Sequence, residues 1–205
     1  VVQDVAMPLP TGTTALKKAA PHPTATPAPL PTCAIEVDPR LRGDWESLGG
    51  TLSLGCAYGE AEEGDWALQT FERGAMYWDG VRGMISVLLD DGSYRTFRDT
   101  WKEGMPTKSC DGQAPEGLWQ PIRGFGLLWC REPGLREALG WGKVPEEAFR
   151  GVYQAFPRGE LLLAPDGTVL ILSLDRSWCA SVPYLRIVQD SSVTLSQGPF
   201  VSLKA

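Results

Sequence analysis

Asparagine is absent from all 205 residues. N-linked glycosylation therefore has no acceptor, and depletion of this thermolabile side chain is a habit of thermophile proteins. Histidine occurs once, as His22, inside a proline-rich stretch. A Ser-His-Asp or Cys-His arrangement consequently lacks a credible base in the folded part. The five cysteines, Cys33, Cys56, Cys110, Cys130 and Cys179, include no C-x-x-C pair, which argues against a Cys/His zinc site. There is no P-loop and no G-x-G-x-x-G, and "DDGSYRTFRDTW" has too few alternating acids for an EF-hand. No apolar run reaches the roughly 18 residues of a membrane span. No metal and no cofactor are expected.

The formal net charge is -6. In the first 40 residues Lys17, Lys18 and Arg40 balance Asp4, Glu36 and Asp38, so the acidity belongs to the folded part. That argues against nucleic acid or an anionic membrane as the main partner. The sequence opens on Val1 rather than Met, and the expectation is a mature form whose export signal has been removed. In an oxidising compartment the cysteines read as a disulfide framework. Five is odd, so at least one is free or bonds another chain. Cys33, at the end of the linker, is the expected odd one, and Cys130–Cys179 the expected pair.

Residues 1–40 form a Pro/Thr/Ala-rich arm or linker, "PLPTGTTALKKAAPHPTATPAPLPTC" at its heart. Such composition cannot bury enough apolar surface to fold alone and favours an extended spacer. Val5, Met7 and Leu9 alternate and would share one face of an extended strand. Pro8 and Pro10 restrict that strand to an edge. This is the profile of a segment that docks along a neighbouring subunit's sheet.

Two related stretches follow. Gln69, Phe71, Arg73 and Gly74 in "LQTFERGAMYW" are matched 85 positions on by Gln154, Phe156, Arg158 and Gly159. At the same offset Ile85, Val87 and Leu89 fall on Leu170, Leu172 and Leu174. Shared spacing with alternation preserved reads as duplication. We assign repeat one to 41–101, a connector to 102–122, repeat two to 123–180 and C-terminal strands to 181–205. In repeat one "RGDWESLGG" is a short helix with Asp44 as N-cap and Gly49 as C-cap. "WALQTF" is a strand that "ERG" interrupts and "AMYW" continues, and "MISVLL" and "YRTF" are joined by the turn "DDGS". In repeat two "EPGLREALG" is the helix, then "FRGVYQAF", "PRG", "ELLL" and "VLILSL" follow the same order. "YLRIV", "SVTLS" and "FVSL" are strand candidates near the C-terminus. The expected fold is mainly β with short helices (α+β): two tandem helix-plus-β-hairpin repeats in one compact domain behind an extended N-terminal arm.

Arg73 and Arg158 each precede a glycine. They could grip a carboxylate or a sugar. Their presence in both copies favours a joint, with Gly74 and Gly159 forming a bulge at positive φ and the arginines pairing with Asp90 and Asp175. Of eight tryptophans, Trp45, Trp129, Trp178 and Trp78 match helix, strand or apolar positions and read as core. Trp66, Trp101 and Trp119 lie in less regular segments and are the candidates for an exposed glycan contact. Glycoside hydrolysis needs two facing acids in a cleft, whereas Glu60, Glu62, Glu63, Asp90, Asp91, Glu146 and Glu147 fall in turns and loops. An enzyme is not expected.

The string "W…LG…LG" followed by Q-x-F-x-R-G-x-x-x-W resembles the LGFP-type repeat of bacterial cell-surface proteins. With "LGCA", "FERGAMYW", "DDGSYRTFRDTW", "QPIRGFGLLW" and "LREALGWG" it more closely resembles an uncharacterised module in secreted proteins of filamentous thermophilic bacteria. The resemblance spans residues 45–178 and departs from the LGFP pattern at "LGCA" and "LGWG". It implies envelope association without catalysis and supplies no catalytic residues.

The functional expectation is a secreted, non-catalytic structural subunit of an extracellular or cell-surface, filament-like assembly of copies of itself, the arm docking on a neighbour. The alternative is a cell-wall or carbohydrate-binding module on a Pro/Thr stalk.

Overall fold

The computed structural model describes residues 32–181 and Phe200–Val201. Val5, Met7 and Leu9 of the expected docking arm lie outside the described residues, as do "YLRIV" and "SVTLS". Of "FVSL", Phe200–Val201 is described, as a two-residue strand.

The first helix, α1 (Pro39–Ser47), starts earlier than the sequence suggests. Asp38, not Asp44, is its N-cap: the carboxylate accepts from the Arg40 N–H at 2.9 Å, and Pro39 fits the first turn because it has no N–H to satisfy. Gly49 follows the helix at φ +102, a left-handed conformation glycine tolerates, and a 3-10 turn, Gly50–Leu52, comes next. The helix expected over "EPGLREALG" is the short α3 (Leu135–Leu139), and an additional helix, α2 (Arg123–Arg131), precedes it. Gly124 and Gly126 lower the helical propensity of α2 and hide it in the sequence. Tertiary contact requires Gly126: a Cβ there would lie 2.5 Å from the Pro121 carbonyl oxygen.

The strands are β1 (Glu62–Phe71), β2 (Gly74–Asp79), β3 (Met84–Leu89), β4 (Tyr94–Arg98), β5 (Glu147–Phe156), β6 (Gly159–Leu163), β7 (Val169–Ser173), β8 (Trp178–Ser181) and β9 (Phe200–Val201). They form one antiparallel sheet in the order β4-β3-β2-β1-β5-β6-β7-β8-β9. "ERG" and "PRG" do not interrupt a strand with a bulge. Phe71 pairs with Gly74 and Phe156 with Gly159, so each is the tight reversal of a hairpin. Gly74 has φ +146, and a Cβ on it would meet the Leu88 carbonyl oxygen at 2.1 Å. Gly159 is not at positive φ; there the close approach of the Leu172 carbonyl, 2.7 Å from an added Cβ, excludes a side chain.

The eight strands β4 to β8 curl until the sheet is nearly closed. Ser93 and Ser177 meet in an antiparallel bridge, with the Tyr94 N–H donating to the Arg176 carbonyl and the Trp178 N–H to the Gly92 carbonyl, each at 2.8 Å. At the opposite side of the sheet, β1 and β5 pair about Asp65 and Arg150, with Glu62 facing Tyr153 and Leu68 facing Glu147. The register of β3 and β7 corrects one expectation. Gly74 pairs with Leu89 but Gly159 with Ser173, so Ile85 and Val87 correspond to Val169 and Ile171 rather than to Leu170 and Leu172. A turn shorter by one residue shifts every side chain of β7 to the other face.

Strand alternation divides the core in three. Trp66, Tyr77, Leu88, Tyr94, Tyr153, Leu162 and Leu172 fill the concave side. On the convex side Phe71, Met76, Ile85 and Val87 pack under Phe125, Trp129, Leu135 and Leu139 of α2 and α3. Phe156, Leu161, Val169 and Ile171 pack under Leu41 of α1 and Leu54. Each helical segment thus covers the strands that are not next to it in sequence: α1 precedes β1 but lies on β5–β7, and α2 and α3 precede β5 but lie on β1–β3. Burying each such Leu or Phe stabilises by about 1.5–3 kcal/mol.

The disulfides are Cys33–Cys56 and Cys110–Cys130, with Cα separations of 5.3 and 5.8 Å. The expected Cys130–Cys179 pair does not form, and Cys33 is not the odd cysteine. Cys130 is on α2 over β1–β3, whereas Cys179 is on β8, half-buried beside the α1 cluster and free.

Candidate functional site

Arg73 and Arg158 do not pair with Asp90 and Asp175. Arg73 donates from Nε to the Ala138 carbonyl at 3.0 Å and from Nη2 to the Glu137 carbonyl at 2.6 Å, at the end of α3. Arg158 donates to the carbonyls of Ser53, Thr51 and Leu52, at the end of the 3-10 turn. A guanidinium is suited to bonding the free carbonyls of a helical C-terminus. Each arginine therefore ties a hairpin reversal to the helical segment lying on it.

The starts of α1 and α2 differ on the convex face. Arg40, second in α1, reaches Glu63, second in β1, and pairs with it at 3.1 Å. The second positions of α2 and β5 are Gly124 and Ala148. Without the two long side chains a cavity of about 540 Å³ opens there, lined by both residues. Ala67 and Ala148, neighbours across the β1–β5 ladder, contribute small side chains. Trp78, Trp101 and Phe125 supply aromatic surface, while Trp66 and Phe149, stacked with the concave cluster, border the cavity. The Trp101 indole is fixed by donating to the Pro106 carbonyl at 3.2 Å. Trp78 carries a buried Nε1 without a hydrogen-bond partner among the described residues.

Charges border this aromatic space. Asp65 and Arg150 pair at 2.9 Å, and Glu146 and Arg123 at 3.3 Å. Asp99 accepts from the Trp101 backbone N–H at 2.9 Å. Its carboxylate lies against the first turn of α2, where a Cβ on Gly124 would come within 2.8 Å of Oδ1. Burial pushes the Glu146 carboxyl above its ordinary range; the Arg123 guanidinium pulls it back, and the Asp99 charge adds to the rise. Arg123 sits at φ +50, unusual for a residue with a side chain. Its N–H donates to the Thr107 carbonyl at 2.8 Å. Strain of this kind concentrates at functional sites.

Glu146 also lines a second cavity, of about 700 Å³, with Trp119, Gln69, Gln120 and Lys108. The Trp119 backbone is pinned by reciprocal bonds with Gly142, at 2.8 and 2.9 Å, while the residue is 50% exposed. Gln120 donates to the Cys110 carbonyl at 2.8 Å, which ties this rim to the Cys110–Cys130 disulfide.

Of the three tryptophans expected at an exposed glycan contact, Trp119 is exposed, Trp101 is half-buried in a cavity wall, and Trp66 is not exposed. Trp66 belongs to β1, points to the concave cluster and stacks on Phe149 with ring centroids 6.5 Å apart. What the sequence reading missed is the contribution of Trp78, Asp99, Arg123 and Gly124. The available signal was the mismatch of Ala148 with Glu63 at the 85-residue spacing. Among the described residues no group of three or more His, Cys, Asp or Glu is placed to hold a metal ion, and no helix is long and apolar enough to cross a membrane. Comparison of the chain with protein-family models, with curated proteins and with solved structures finds no match.

Proposed function

We propose that this chain is an extracellular, non-catalytic binding module that takes a saccharide, with a cell-wall glycan as the candidate ligand, in the cavity beside Trp78 and Trp101. The observation that carries the reading is the replacement of the Arg40–Glu63 pair by Gly124 and Ala148, which leaves an aromatic-walled space bordered by carboxylates. Ring faces stack on the apolar faces of sugars, and carboxylates accept from their hydroxyls. Asp99 and Glu146 are held by the Trp101 N–H and by Arg123, which favours holding a ligand over acid–base chemistry. Two disulfides support an oxidising compartment. We read the matched contacts of the two halves as a duplicated unit whose second copy of the helix start has been emptied for binding.

Retention on insoluble polysaccharides tests this. The wild type is retained, and Trp101→Ala weakens binding about tenfold, equivalent to about 1.4 kcal/mol. A wild type that passes through every polysaccharide sinks the reading.

The second reading is a structural subunit of a filament-like assembly, and its support is the alternation of Val5, Met7 and Leu9 in the arm. It ranks lower because strand β4, where an arm could add, carries exposed Arg95 and Arg98, charges that discourage edge pairing. Deleting residues 1–32 abolishes polymers seen by negative-stain microscopy if this reading holds. Polymers that persist in the truncated protein rule it out.

A further inference from the structure

Gln69 and Gln154 occupy the same position, eighth in β1 and in β5, and both are almost fully buried. The Gln154 amide is complete. Its Nε2 donates to the Glu36 and Gly59 carbonyls at 2.9 and 3.0 Å, and its Oε1 accepts from the Asp38 N–H at 2.9 Å. Gln69 keeps the donor half, Nε2 to the Val144 carbonyl at 2.9 Å. Its Oε1 has no donor among the described residues, although the residue is only 1% exposed. A neighbouring backbone donor is spent elsewhere: in the segment entering α2 the Arg123 N–H donates to the Thr107 carbonyl. Gln120 shows the same pattern, its Nε2 bonded to Cys110 and its Oε1 buried without a donor. Both glutamines line the Trp119 cavity. A buried acceptor left unpaired is destabilising, so two at one cavity mark a place where a donor is to be supplied.

We infer that the Trp119 cavity is a second sugar subsite, continuous with the first past Glu146. The ligand is then a neutral glycan chain of two or more residues, its hydroxyl groups donating to Gln69 and Gln120 while one ring lies on Trp119. This rests on the saccharide reading of the first cavity. Glu146 lines both cavities and is the joint between them. Each volume, about 540 and about 700 Å³, lies within the range of small-ligand sites. The charges select against acidic chains. Asp65, Asp99 and Glu146 are balanced by Arg123, Arg150 and Lys108, and no surplus cation is left to neutralise a run of uronates. Trp119 is suited to be a platform, because its backbone is locked to Gly142 while its ring remains open to solvent.

The test is calorimetric titration of the full chain at pH 7 with glucose, cellotetraose, chitotetraose and tetragalacturonate. One neutral tetrasaccharide should bind at least tenfold tighter than glucose, and tetragalacturonate should be the weakest oligosaccharide. Trp119→Ala and Gln120→Met should remove the tetrasaccharide advantage and leave the glucose affinity unchanged, whereas Trp101→Ala should weaken both sugars. Equal affinity for glucose and every tetrasaccharide overturns the second subsite. So does a tetrasaccharide affinity untouched by Trp119→Ala and Gln120→Met, which would leave those glutamines satisfied by water alone. Tightest binding of tetragalacturonate overturns the neutral-chain assignment. If no probe binds the wild type, the saccharide reading itself fails, and this inference with it.

Discussion

Tyr94 and Trp178 cross the seam of the curled sheet in opposite directions. The Tyr94 hydroxyl donates to the Ser173 carbonyl at 3.0 Å, and the Trp178 indole N–H donates to the Leu89 carbonyl at 2.8 Å. The two residues thus reinforce the Ser93–Ser177 bridge from both sides. Tyr94→Phe keeps the ring and loses one bond, so a destabilisation of about 1 kcal/mol is expected by urea unfolding. An unchanged unfolding midpoint would mean the seam does not depend on this pair.

Arg73→Ala and Arg158→Ala should each destabilise by about 1–3 kcal/mol, because charge-assisted bonds to helix-end carbonyls are lost. Neither should alter glycan affinity measured well below the lowered Tm. Loss of ligand with Tm intact would return Arg73 to the list of binding residues.

The two disulfides should separate by function. Cys33 and Cys56 are 23 positions apart, and loop-closure entropy gives their bond a stabilisation of about 3 kcal/mol. Cys33→Ala/Cys56→Ala is expected to lower Tm without touching affinity. Cys110→Ala/Cys130→Ala also frees the rim that holds Gln120, so it should weaken tetrasaccharide binding more than glucose binding. Calorimetry of both double variants checks the difference; identical loss in the two would sink it.

Glu146 sets a pH dependence. Its folded-state pKa is raised, chiefly by burial, so the folded protein binds this proton more tightly than the unfolded chain does. Stability from this group is therefore full below the ordinary glutamate value of about 4.3 and falls as pH rises from there through the raised value. Glu146→Gln cannot ionise. The Tm of the variant minus that of the wild type should increase as pH is raised from 4 to 7, and a difference independent of pH would refute the effect.

The strands were largely legible because their signal is local. "MISVLL" is β3 residue for residue, and "DDGS" is the turn after it. Helix α2 was not legible, since Gly124 and Gly126 look like loop residues until the Pro121 carbonyl and the Asp99 carboxylate are seen beside them. Trp66 was misplaced as exposed because its acidic neighbours, Glu62, Glu63 and Asp65, resemble a loop. They instead begin a long strand with Trp66 on its concave face. Trp101 and Trp119 each line a cavity, but nothing in their spacing shows that Glu146 lies between the two.

By itself the sequence determined that the fold is mainly β, which residues alternate within its strands, and where the turn "DDGS" falls. These follow from backbone periodicity and from turn residues acting within a few positions of each other. Only the tertiary structure decided that α1 lies on β5–β7 and α2 on β1–β3, which cysteines meet, and that Gly124 with Ala148 leaves a cavity where Arg40 and Glu63 pair. Those outcomes depend on which surfaces the chain brings together across long separations. An apolar face specifies that it must be covered, but not by what.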